Sequence, residues 1–466
     1  MTKEHLVVLG AGPGGYTAAF YAADQGYKVT LLDSSEKPGG VCLHRGCIPS
    51  KALLHVAGLM TKADQAKDWG VDFGEPKIDL KRLREWKDEI SLKVSDGLIA
   101  LCKQRDVSFI NSRGTFTDSN TIKLSNSSSL VFDRCIIATG SRPIIPQKFI
   151  NNKLIMMDST EALKLSAIPE KMLVVGGGYI GLELGKVYSS LGSRVTIVEK
   201  KDGLLSSVDR DLIRPLQEKL SKEFEAIYLN TEIVSIRESE KLGHVTMVNA
   251  KEQFDDSFDS ILMSVGRRPN TDKIGLEFTN VLLDDKEFIK VDGKRQTADS
   301  KIFAIGDVSG EPMLAHKASH EARIAIDGML GNDVSFNNNI IPAVVFTDPE
   351  VAWCGLTELD AKNNNIDVDV ARFPWRASGR AHTIGRTEGM TKIVLESKTK
   401  RLLGVGIVGY GAGELIGEGV LAINMGAKAE DLSNCIHPHP TLSETIMESA
   451  DVSMGIATHI YKRPRK

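Results

Sequence analysis

Residues 5–33 read HLVVLGAGPGGYTAAFYAADQGYKVTLLD, and this stretch decides the fold. An apolar run at 6–9 precedes a glycine turn. An alanine-rich helical stretch then leads to a second apolar run at 29–32. A strand, a helix and a strand in this order form a βαβ unit, the building block of a parallel sheet. The stretch therefore predicts an α/β fold.

The glycine turn has the pattern Gly10-x-Gly12-x-x-Gly15. In such a turn the first glycine permits the tight bend and the second lets a pyrophosphate approach the backbone. The third lets the helix and strand pack closely. Asp33 ends the second strand, where its carboxylate can accept hydrogen bonds from ribose hydroxyls. The unit is thus predicted to bind a dinucleotide at the helix N-terminus.

The same pattern returns at 172–199, where the turn reads Gly176-x-Gly178-x-x-Gly181. Glu199 follows the last glycine at the offset that Asp33 has in the first unit, which indicates a duplicated unit and a second dinucleotide. A carboxylate at this position repels a 2′-phosphate and so favours NAD over NADP. The lysines that follow it, at 200 and 201, could partly offset that charge.

Length and composition limit the possible classes. The chain has 466 residues, which suggests about three domains. Its 58 Lys+Arg against 61 Asp+Glu give a net charge of −3, which excludes a strongly basic nucleic-acid binder. The uncharged stretch at 6–23 is interrupted by glycines and Pro13, unlike a membrane span or signal peptide. We expect a cytoplasmic protein without nucleic-acid or membrane partners, and interpret the basic tail 461–466 as a solvated end.

The rest of the chain predicts a further α+β part. Short β segments at 107–110, 121–124 and 130–137 end in Ala138-Thr-Gly-Ser141, and the second unit has a similar ending at 261–266. From about residue 340, strand-like runs at 343–346, 390–395 and 402–408 precede helical stretches at 414–424 and 443–459.

Two of the six cysteines, Cys42 and Cys47, stand close together in a glycine-rich stretch at 39–51. On a regular helix they would lie roughly 7.5 Å apart along the axis, whereas a disulfide needs Cα atoms within about 7 Å. Gly46 and Pro49 suggest a departure from regular helix that allows closure. A pair in a cytosolic protein is catalytic rather than structural if it closes; the alternative is two free thiols. The others are interpreted as ordinary core or surface thiols: Cys102, Cys135, Cys354 and Cys435.

Six motifs in order carry a resemblance to a known family: GCIPSK at 46–51, VGRRPNT at 265–271, AIGDV at 304–308, MLAHK at 313–317, TDPEVAW at 347–353 and HPTLSE at 439–444. Along its whole length the chain resembles the pyridine nucleotide–disulfide oxidoreductases. The resemblance implies two Rossmann-like dinucleotide-binding domains and a C-terminal α+β dimerisation domain. The implied domains are an FAD domain at 1–145, an NAD domain at 146–269, a part completing the FAD domain at 270–338, and an interface domain at 339–466.

The resemblance also implies the cofactor contacts, and no metal. Those expected for FAD are Gly10, Gly12, Gly14, Gly15, Asp33, Lys51, Gly114, Thr139, Gly140, Ser141, Asp307, Met313, Leu314, Ala315 and His316. Those expected for NAD are Gly176, Gly178, Tyr179, Ile180, Gly181, Glu183, Glu199 and Gly266.

The implied reaction is the reoxidation of dihydrolipoyl groups carried by 2-oxoacid dehydrogenase complexes. A dihydrolipoyl thiol attacks Cys42, and Cys47 becomes a thiolate against the flavin. Electrons then pass through FAD to NAD⁺ and give NADH. Lys51 is expected near the flavin ring, paired with Glu183.

Exchange chemistry requires a thiolate and therefore a base. His439 is the candidate, with Glu444 orienting its ring; His437 has no evident partner. The resemblance implies a homodimer in which the base comes from the other subunit. It also implies that this homodimer binds the lipoyl-bearing acyltransferase (E2) subunit. Which complex it serves and where E2 docks stay open.

Val41, His44 and Arg45 depart from the family's usual residues, so the family's local flavin contacts and redox potential do not carry over to this stretch. Two alternatives are a disulfide reductase similar to glutathione reductase and a subunit that mainly binds partners. The stretch Ile-Pro-Ser-Lys at 48–51 differs from the first alternative, and the intact cysteines argue against the second.

Overall fold

The computed structural model describes residues 3–149, 155–240, 242–336 and 340–461. The basic end at 462–466 and the domain boundary expected between 338 and 339 lie outside these ranges. Among the described residues, no helix combines the length and the apolar character that crossing a membrane requires.

The described strands are, in chain order, β1 (His5–Leu9), β2 (Lys28–Asp33), β3 (Ser108–Asn111), β4 (Gly114–Asp118), β5 (Thr121–Leu124), β6 (Ser129–Val131), β7 (Arg134–Ile137), β8 (Ser141–Pro143), β9 (Met156–Met157), β10 (Lys171–Val175), β11 (Arg194–Val198), β12 (Ala226–Tyr228), β13 (Glu232–Ser239), β14 (Leu242–Val248), β15 (Gln253–Phe258), β16 (Ser260–Met263), β17 (Arg267–Pro269), β18 (Ile302–Ala304), β19 (Ala343–Val345), β20 (Glu350–Gly355), β21 (Val368–Pro374), β22 (Met390–Glu396) and β23 (Leu402–Gly409).

The described α-helices are α1 (Pro13–Asp24), α2 (Gly40–Arg45), α3 (Cys47–Gln65), α4 (Leu80–Gln104), α5 (Ser159–Lys164), α6 (Tyr179–Ser190), α7 (Arg210–Glu223), α8 (Ala315–Met329), α9 (Glu358–Asn363), α10 (Gly379–Thr383), α11 (Ala412–Asn424), α12 (Ala429–Ser433) and α13 (Glu444–Met454).

Two parallel five-stranded sheets share one topology. The first has the order β18-β7-β1-β2-β3 and the second β9-β16-β10-β11-β12. In both, the strand before the glycine turn lies at the centre and pairs in parallel on each side. The central strands are almost wholly buried because such a sheet is covered on both faces. The predicted duplication and fold class are confirmed.

Each sheet carries helices on one face and a three-stranded antiparallel sheet on the other. For the first sheet, α1 and α8 supply one apolar cluster and the sheet β4-β5-β6 the other. For the second, α6 and α7 supply one cluster and the sheet β13-β14-β15 the other. Strand β18 joins the first sheet although it follows the second unit in sequence. The part after the second unit thus returns to the first.

The third five-stranded sheet, β19-β20-β23-β22-β21, is antiparallel. Helices α11 and α13 pack against it over a core that includes Trp375 and Phe373, both nearly inaccessible to solvent. On its other side Val345, Val351 and Val408 share a cluster with α7. The α+β character predicted for this part is confirmed.

Two predicted elements are wrong in detail. The β segment expected at 130–137 is two strands, β6 and β7, in different sheets. The chain turns between them because the Phe132 N–H bonds to Asn120 O and the Asp133 N–H to His5 O. The helix expected at 443–459 ends at Met454, where Gly455 takes a left-handed conformation (φ 77°) that terminates helices.

Candidate functional site

The two glycine turns are built for close packing. At Gly10 (φ 107°) an added Cβ would lie 2.3 Å from Ala138 O, and at Gly15 it would lie 1.8 Å from Gly10 O. The corresponding distances in the second turn are 2.5 Å at Gly176 and 2.2 Å at Gly181. No side chain fits at these positions, so the first and third glycines bring helix and strand together as the motif predicts.

The acids at the strand ends hold the turns. Asp33 Oδ2 accepts from the Ala11 N–H at 2.7 Å, and Glu199 Oε2 accepts from the Gly177 N–H at 2.6 Å. Their other oxygens accept from the N–H two residues further on, at 2.7 and 2.8 Å. Since a carboxylate offers about four lone-pair sites, each acid retains capacity for ribose hydroxyls.

A cavity of about 290 Å³ runs from the first glycine turn to the two cysteines. The expected residues on its wall are Gly10, Gly12, Gly14, Asp33, Cys42, Cys47, Lys51, Thr139, Gly140, Ser141, Tyr179, Ile180, Glu183, Asp307, Met313 and Ala315. A second cavity of about 360 Å³ shares Gly10, Asp33 and Thr139 with it and includes Gly114. Together they form one elongated site, the shape that a flavin dinucleotide requires.

Other expected residues do not line these cavities. His316 is exposed, and its Nε2 hydrogen-bonds to Pro342 O at 2.7 Å, because α8 begins at Ala315 and turns that side chain away. Leu314 directly precedes the same helix. The remaining residues outside the two walls are Gly15, Gly176, Gly178, Gly181, Glu199, Gly266, His439 and Glu444.

The cysteines stand on successive helices. Cys42 lies in α2, and Cys47 is the first residue of the 19-residue helix α3. The helical backbone is interrupted at Gly46 alone, between α2 and α3. Pro49 lies in the first turn of α3, where proline is tolerated, so the expected second disruption is wrong. Neither cysteine is joined in a disulfide in this structure.

The two thiols interact, and their environment distinguishes them. A hydrogen bond between the two thiols lowers the pKa of Cys47 to about 7 and raises that of Cys42. Desolvation opposes the lowering, and the Lys51 charge assists it. The N-terminus of α3 also favours a thiolate at Cys47. Of the two sulfurs, Cys47 is therefore the one that ionises more readily.

Lys51 and Glu183 form an ion pair, with Nζ and Oε2 2.8 Å apart. Glu183 is 3% exposed, and its Oε1 accepts from the Phe346 N–H at 3.0 Å. The Lys51 ammonium also lies 4.5 Å from the centre of the Phe346 ring. Sequence reasoning missed Phe346, although the TDPEVAW motif begins at the next residue.

A second missed residue is Arg267, on the cavity wall. It donates to Ser141 through Nε to Oγ (2.8 Å) and through Nη2 to the carbonyl O (2.7 Å). Ser141 Oγ donates in turn to Asp307 Oδ2 at 2.5 Å. Strands β8 and β17 pair where the chain leaves the first sheet and returns from the second, which aligns these residues. The VGRRPNT motif was the available signal.

His439 and Glu444 are joined as expected, with Nδ1 and Oε1 2.8 Å apart. Burial raises the pKa of Glu444, but the Thr441 N–H and His439 outweigh this and hold it below its ordinary value. The His439 side chain is 72% exposed. His437 has a partner after all: its Nε2 lies 2.8 Å from Glu418 Oε1. Local spacing could not reveal that partner, which lies on α11.

Comparison with known proteins agrees with this arrangement. The family model described as pyridine nucleotide-disulphide oxidoreductase matches residues 4–322, and that for the family's dimerisation domain matches 341–450. The chain belongs to the pyridine nucleotide-disulphide oxidoreductase family.

Within that family the chain is similar to dihydrolipoyl dehydrogenases. It is 42% identical to those of Buchnera aphidicola (over 464 residues) and Vibrio parahaemolyticus (over 462). The alignments cover 98% of this chain and 97% of each relative. The crystal structure of LpdA from Mycobacterium tuberculosis superposes with a TM-score of 0.88 at 27% identity, covering 96% of this chain and 99% of that one.

Proposed function

We propose that this protein acts as a dihydrolipoyl dehydrogenase, oxidising protein-bound dihydrolipoyl groups and forming NADH. The observation that carries the proposal is the Cys42–Cys47 dithiol at the end of the elongated cavity. There Cys47 begins a helix, with Lys51 one turn further on. The relatives of the chain, similar over nearly its full length, support this function over a glutathione-reductase-like activity or a purely partner-binding role.

FAD and NAD are the cofactors of this family, and the cavities suit FAD. The fit rests on a glycine turn open to a pyrophosphate, on Asp33, and on Asp307 held at the wall by Ser141. The second turn, with Glu199, would hold NAD. When bound, FAD supplies the two-electron transfer between the dithiol and the nicotinamide.

The cysteines exchange bonds in sequence. A dihydrolipoyl thiolate attacks Cys42 Sγ of the closed pair, so that a mixed disulfide forms and Cys47 leaves as a thiolate. The helix terminus and Lys51 stabilise that thiolate. The second dihydrolipoyl sulfur then attacks the first. This closes the lipoyl disulfide and releases Cys42 as the leaving group. His439 takes the thiol protons, and the ionised Glu444 stabilises the resulting imidazolium.

The base and the thiols meet in a homodimer. His439 is exposed and does not line the cavity of its own chain. Ile436, in the same loop, is 96% exposed, which suits a residue that a second copy covers. We infer that His439 of one chain serves the cysteines of the other, and that the protein is cytoplasmic and works with a lipoyl-bearing acyltransferase.

NAD is the preferred nicotinamide cofactor. Lys200 is engaged by Glu232, and Lys201 Nζ lies 2.9 Å from Ser206 Oγ. Because both ammonium groups have these partners, neither is directed at the Glu199 carboxylate. The Glu199 carboxylate, whose charge disfavours a 2′-phosphate, is thus not paired with either lysine.

Anaerobic titration of the FAD-loaded protein with dihydrolipoamide tests the function. We expect a long-wavelength thiolate–flavin absorbance band, and stoichiometric NADH once NAD⁺ is added. The Cys42→Ser variant, which retains Cys47 but cannot form a disulfide, should produce no NADH from dihydrolipoamide. Reduction of glutathione disulfide by NADPH, without turnover of dihydrolipoamide, would refute the proposal.

A further inference from the structure

Phe346 lies where three parts of the chain meet. It directly follows β19 in the antiparallel sheet, yet it contacts Lys51 of α3 and Glu183 of α6. The three residues form a closed triangle. The Lys51 ammonium binds the Glu183 carboxylate and lies over the Phe346 ring, and the backbone N–H of Phe346 donates to the same carboxylate.

The residues beside this triangle fix its geometry. Leu53, Leu184 and Val345 are each at most 2% exposed and belong to one apolar cluster. Leu184 is adjacent to Glu183, and Val345 is adjacent to Phe346. Leu53 lies two residues past Lys51. Because packed interiors leave little freedom to shift, the three backbones are held together. The arrangement is therefore set by the core rather than by a surface contact.

Within the triangle, Lys51 has the longest and most flexible side chain. Its side chain is 32% exposed and carries its charge on a flexible four-carbon stem. Glu183 holds one side of the ammonium, and the ring, at 4.5 Å, lies against it as well. Lys51 follows Cys47 by one helical turn, so both side chains lie on the same face of α3.

We propose that Phe346 is a positioning residue, which holds the Lys51 ammonium beside the Cys47 thiolate through its ring and through its hydrogen bond to Glu183. This rests on the proposed dithiol function. The antiparallel sheet would thereby influence the chemistry of the thiols from a different part of the chain. The titratable groups around Cys47 are Cys42 on α2, Lys51 on α3, Tyr16 on α1, and Tyr179 and Glu183 on α6.

The test titrates the Cys47 thiolate in FAD-loaded protein carrying Cys42→Ser, which leaves one thiol at the site. The long-wavelength thiolate–flavin absorbance is followed against pH, and the rate of Cys47 alkylation by iodoacetamide is followed in FAD-free protein. For Phe346→Leu we expect a midpoint raised by about 0.5 to 1 pH unit, which leaves about two- to fivefold less thiolate at pH 7 for a parent midpoint near 7. Phe346→Tyr, which keeps the ring, should titrate like the parent.

Two further variants separate the charge contact from packing. Replacing Phe346 by 3,4,5-trifluorophenylalanine keeps the shape but removes the negative ring face, so the midpoint should rise as it does for Leu. Phe149→Leu removes a ring that lies 4.7 Å from Lys148 Nζ, away from the thiols, and should leave the midpoint unchanged.

An unshifted midpoint in the fluorinated protein would overturn the role of the Phe346 ring, even if Phe346→Leu proves unstable. The assay uses no dihydrolipoamide. A shifted midpoint in a protein that cannot oxidise dihydrolipoamide would refute the proposed function alone.

Discussion

Asp33 and Glu199 occupy the same place in two successive units. Each carboxylate accepts one hydrogen bond from the backbone N–H of the residue after the first glycine. It accepts another from the backbone N–H of the residue two positions after the acid itself. The two sites differ in the length of the acid and in the residues after it. This matched pair provides a direct test of cofactor choice, with each residue serving as the control for the other.

Glu199→Gln should relax the preference for NAD. The amide oxygen can accept from one of the two backbone N–H groups that Glu199 binds, and the charge that repels a 2′-phosphate is lost. We expect the ratio of kcat/KM for NADPH to that for NADH to rise by about tenfold or more. Steady-state kinetics with both cofactors measures it. Asp33→Asn, the equivalent change in the first unit, should leave that ratio unchanged and weaken FAD retention instead. An equal change of the ratio in both variants would contradict the assignment of NAD to the second turn.

Much of the fold could be predicted from sequence because it is local. The glycine spacing and the acid at a fixed offset define each βαβ unit within about 30 residues. The parallel sheets follow from that, and the pairing of Lys51 with Glu183 follows from a family motif. The glycine turns can be read from sequence because the close packing that requires glycine acts between residues near one another in the chain.

The rest depends on residues that are distant in sequence. Phe346 meets Lys51 and Glu183 only because β19 packs on the second unit. Glu418 meets His437 only because α11 runs beside its loop. The segment at 130–137 reads as one apolar strand, yet backbone partners from Asn120 and His5 divide it. None of these contacts leaves a periodic signal.

His439→Gln should slow the oxidation of dihydrolipoamide by about 10²- to 10⁴-fold, because no base then takes the thiol proton. FAD content and Cys47 alkylation should stay as in the parent. Stopped-flow reduction of the flavin by dihydrolipoamide measures the effect. His437→Gln, which breaks the pair with Glu418 instead, serves as the matched control and should cause a far smaller loss. Similar losses in both variants would show that the loop matters but that His439 is not the base.

Lys392→Met should destabilise the junction between the second unit and the antiparallel sheet. Lys392 is 1% exposed, and its Nζ lies 2.6 Å from Asp209 and 2.7 Å from Asp211. Removing it leaves the buried Asp209 carboxylate without its cation, while Asp211 keeps Arg372, at a cost of about 3–5 kcal/mol. Urea unfolding followed by tryptophan fluorescence measures the free energy. Lys400→Met breaks the half-exposed pair with Asp369 and should cost less than about 1 kcal/mol; equal costs would contradict the role of burial.

The same junction should make the protein sensitive to acid. Burial raises the pKa of Asp211, but Lys392 and Arg372 outweigh it and hold the pKa below its ordinary value. The folded chain then binds fewer protons at this site than the unfolded chain. Its stabilisation is therefore full above the unfolded pKa of about 3.9 and is lost as pH falls through the lower, folded pKa. Unfolding curves from pH 6 to 3 should fall less steeply for Lys392→Met than for the parent, and parallel curves would rule out this contribution.

Ser141→Ala should weaken FAD binding because it removes the link between Arg267 and Asp307. The hydroxyl donates to the Asp307 carboxylate at 2.5 Å and accepts from Arg267 Nε at 2.8 Å. Its loss frees Asp307 to move and leaves Arg267 with its bond to the carbonyl O of residue 141. A hydrogen bond to a charged group contributes about 1.5–3 kcal/mol, which corresponds to a dissociation constant roughly 10- to 100-fold higher. FAD fluorescence on dilution measures the release.

Ser141→Thr keeps the hydroxyl and should retain FAD, whereas Ser128→Ala, at an exposed serine bonded to Asn126, should have no effect. If Ser141→Ala holds FAD as tightly as the parent, then Asp307 does not depend on the paired strands β8 and β17 for its position. If only the alanine variant releases FAD, then the β8–β17 strand pair both joins the two nucleotide-binding units and fixes Asp307, the residue that holds the flavin nucleotide.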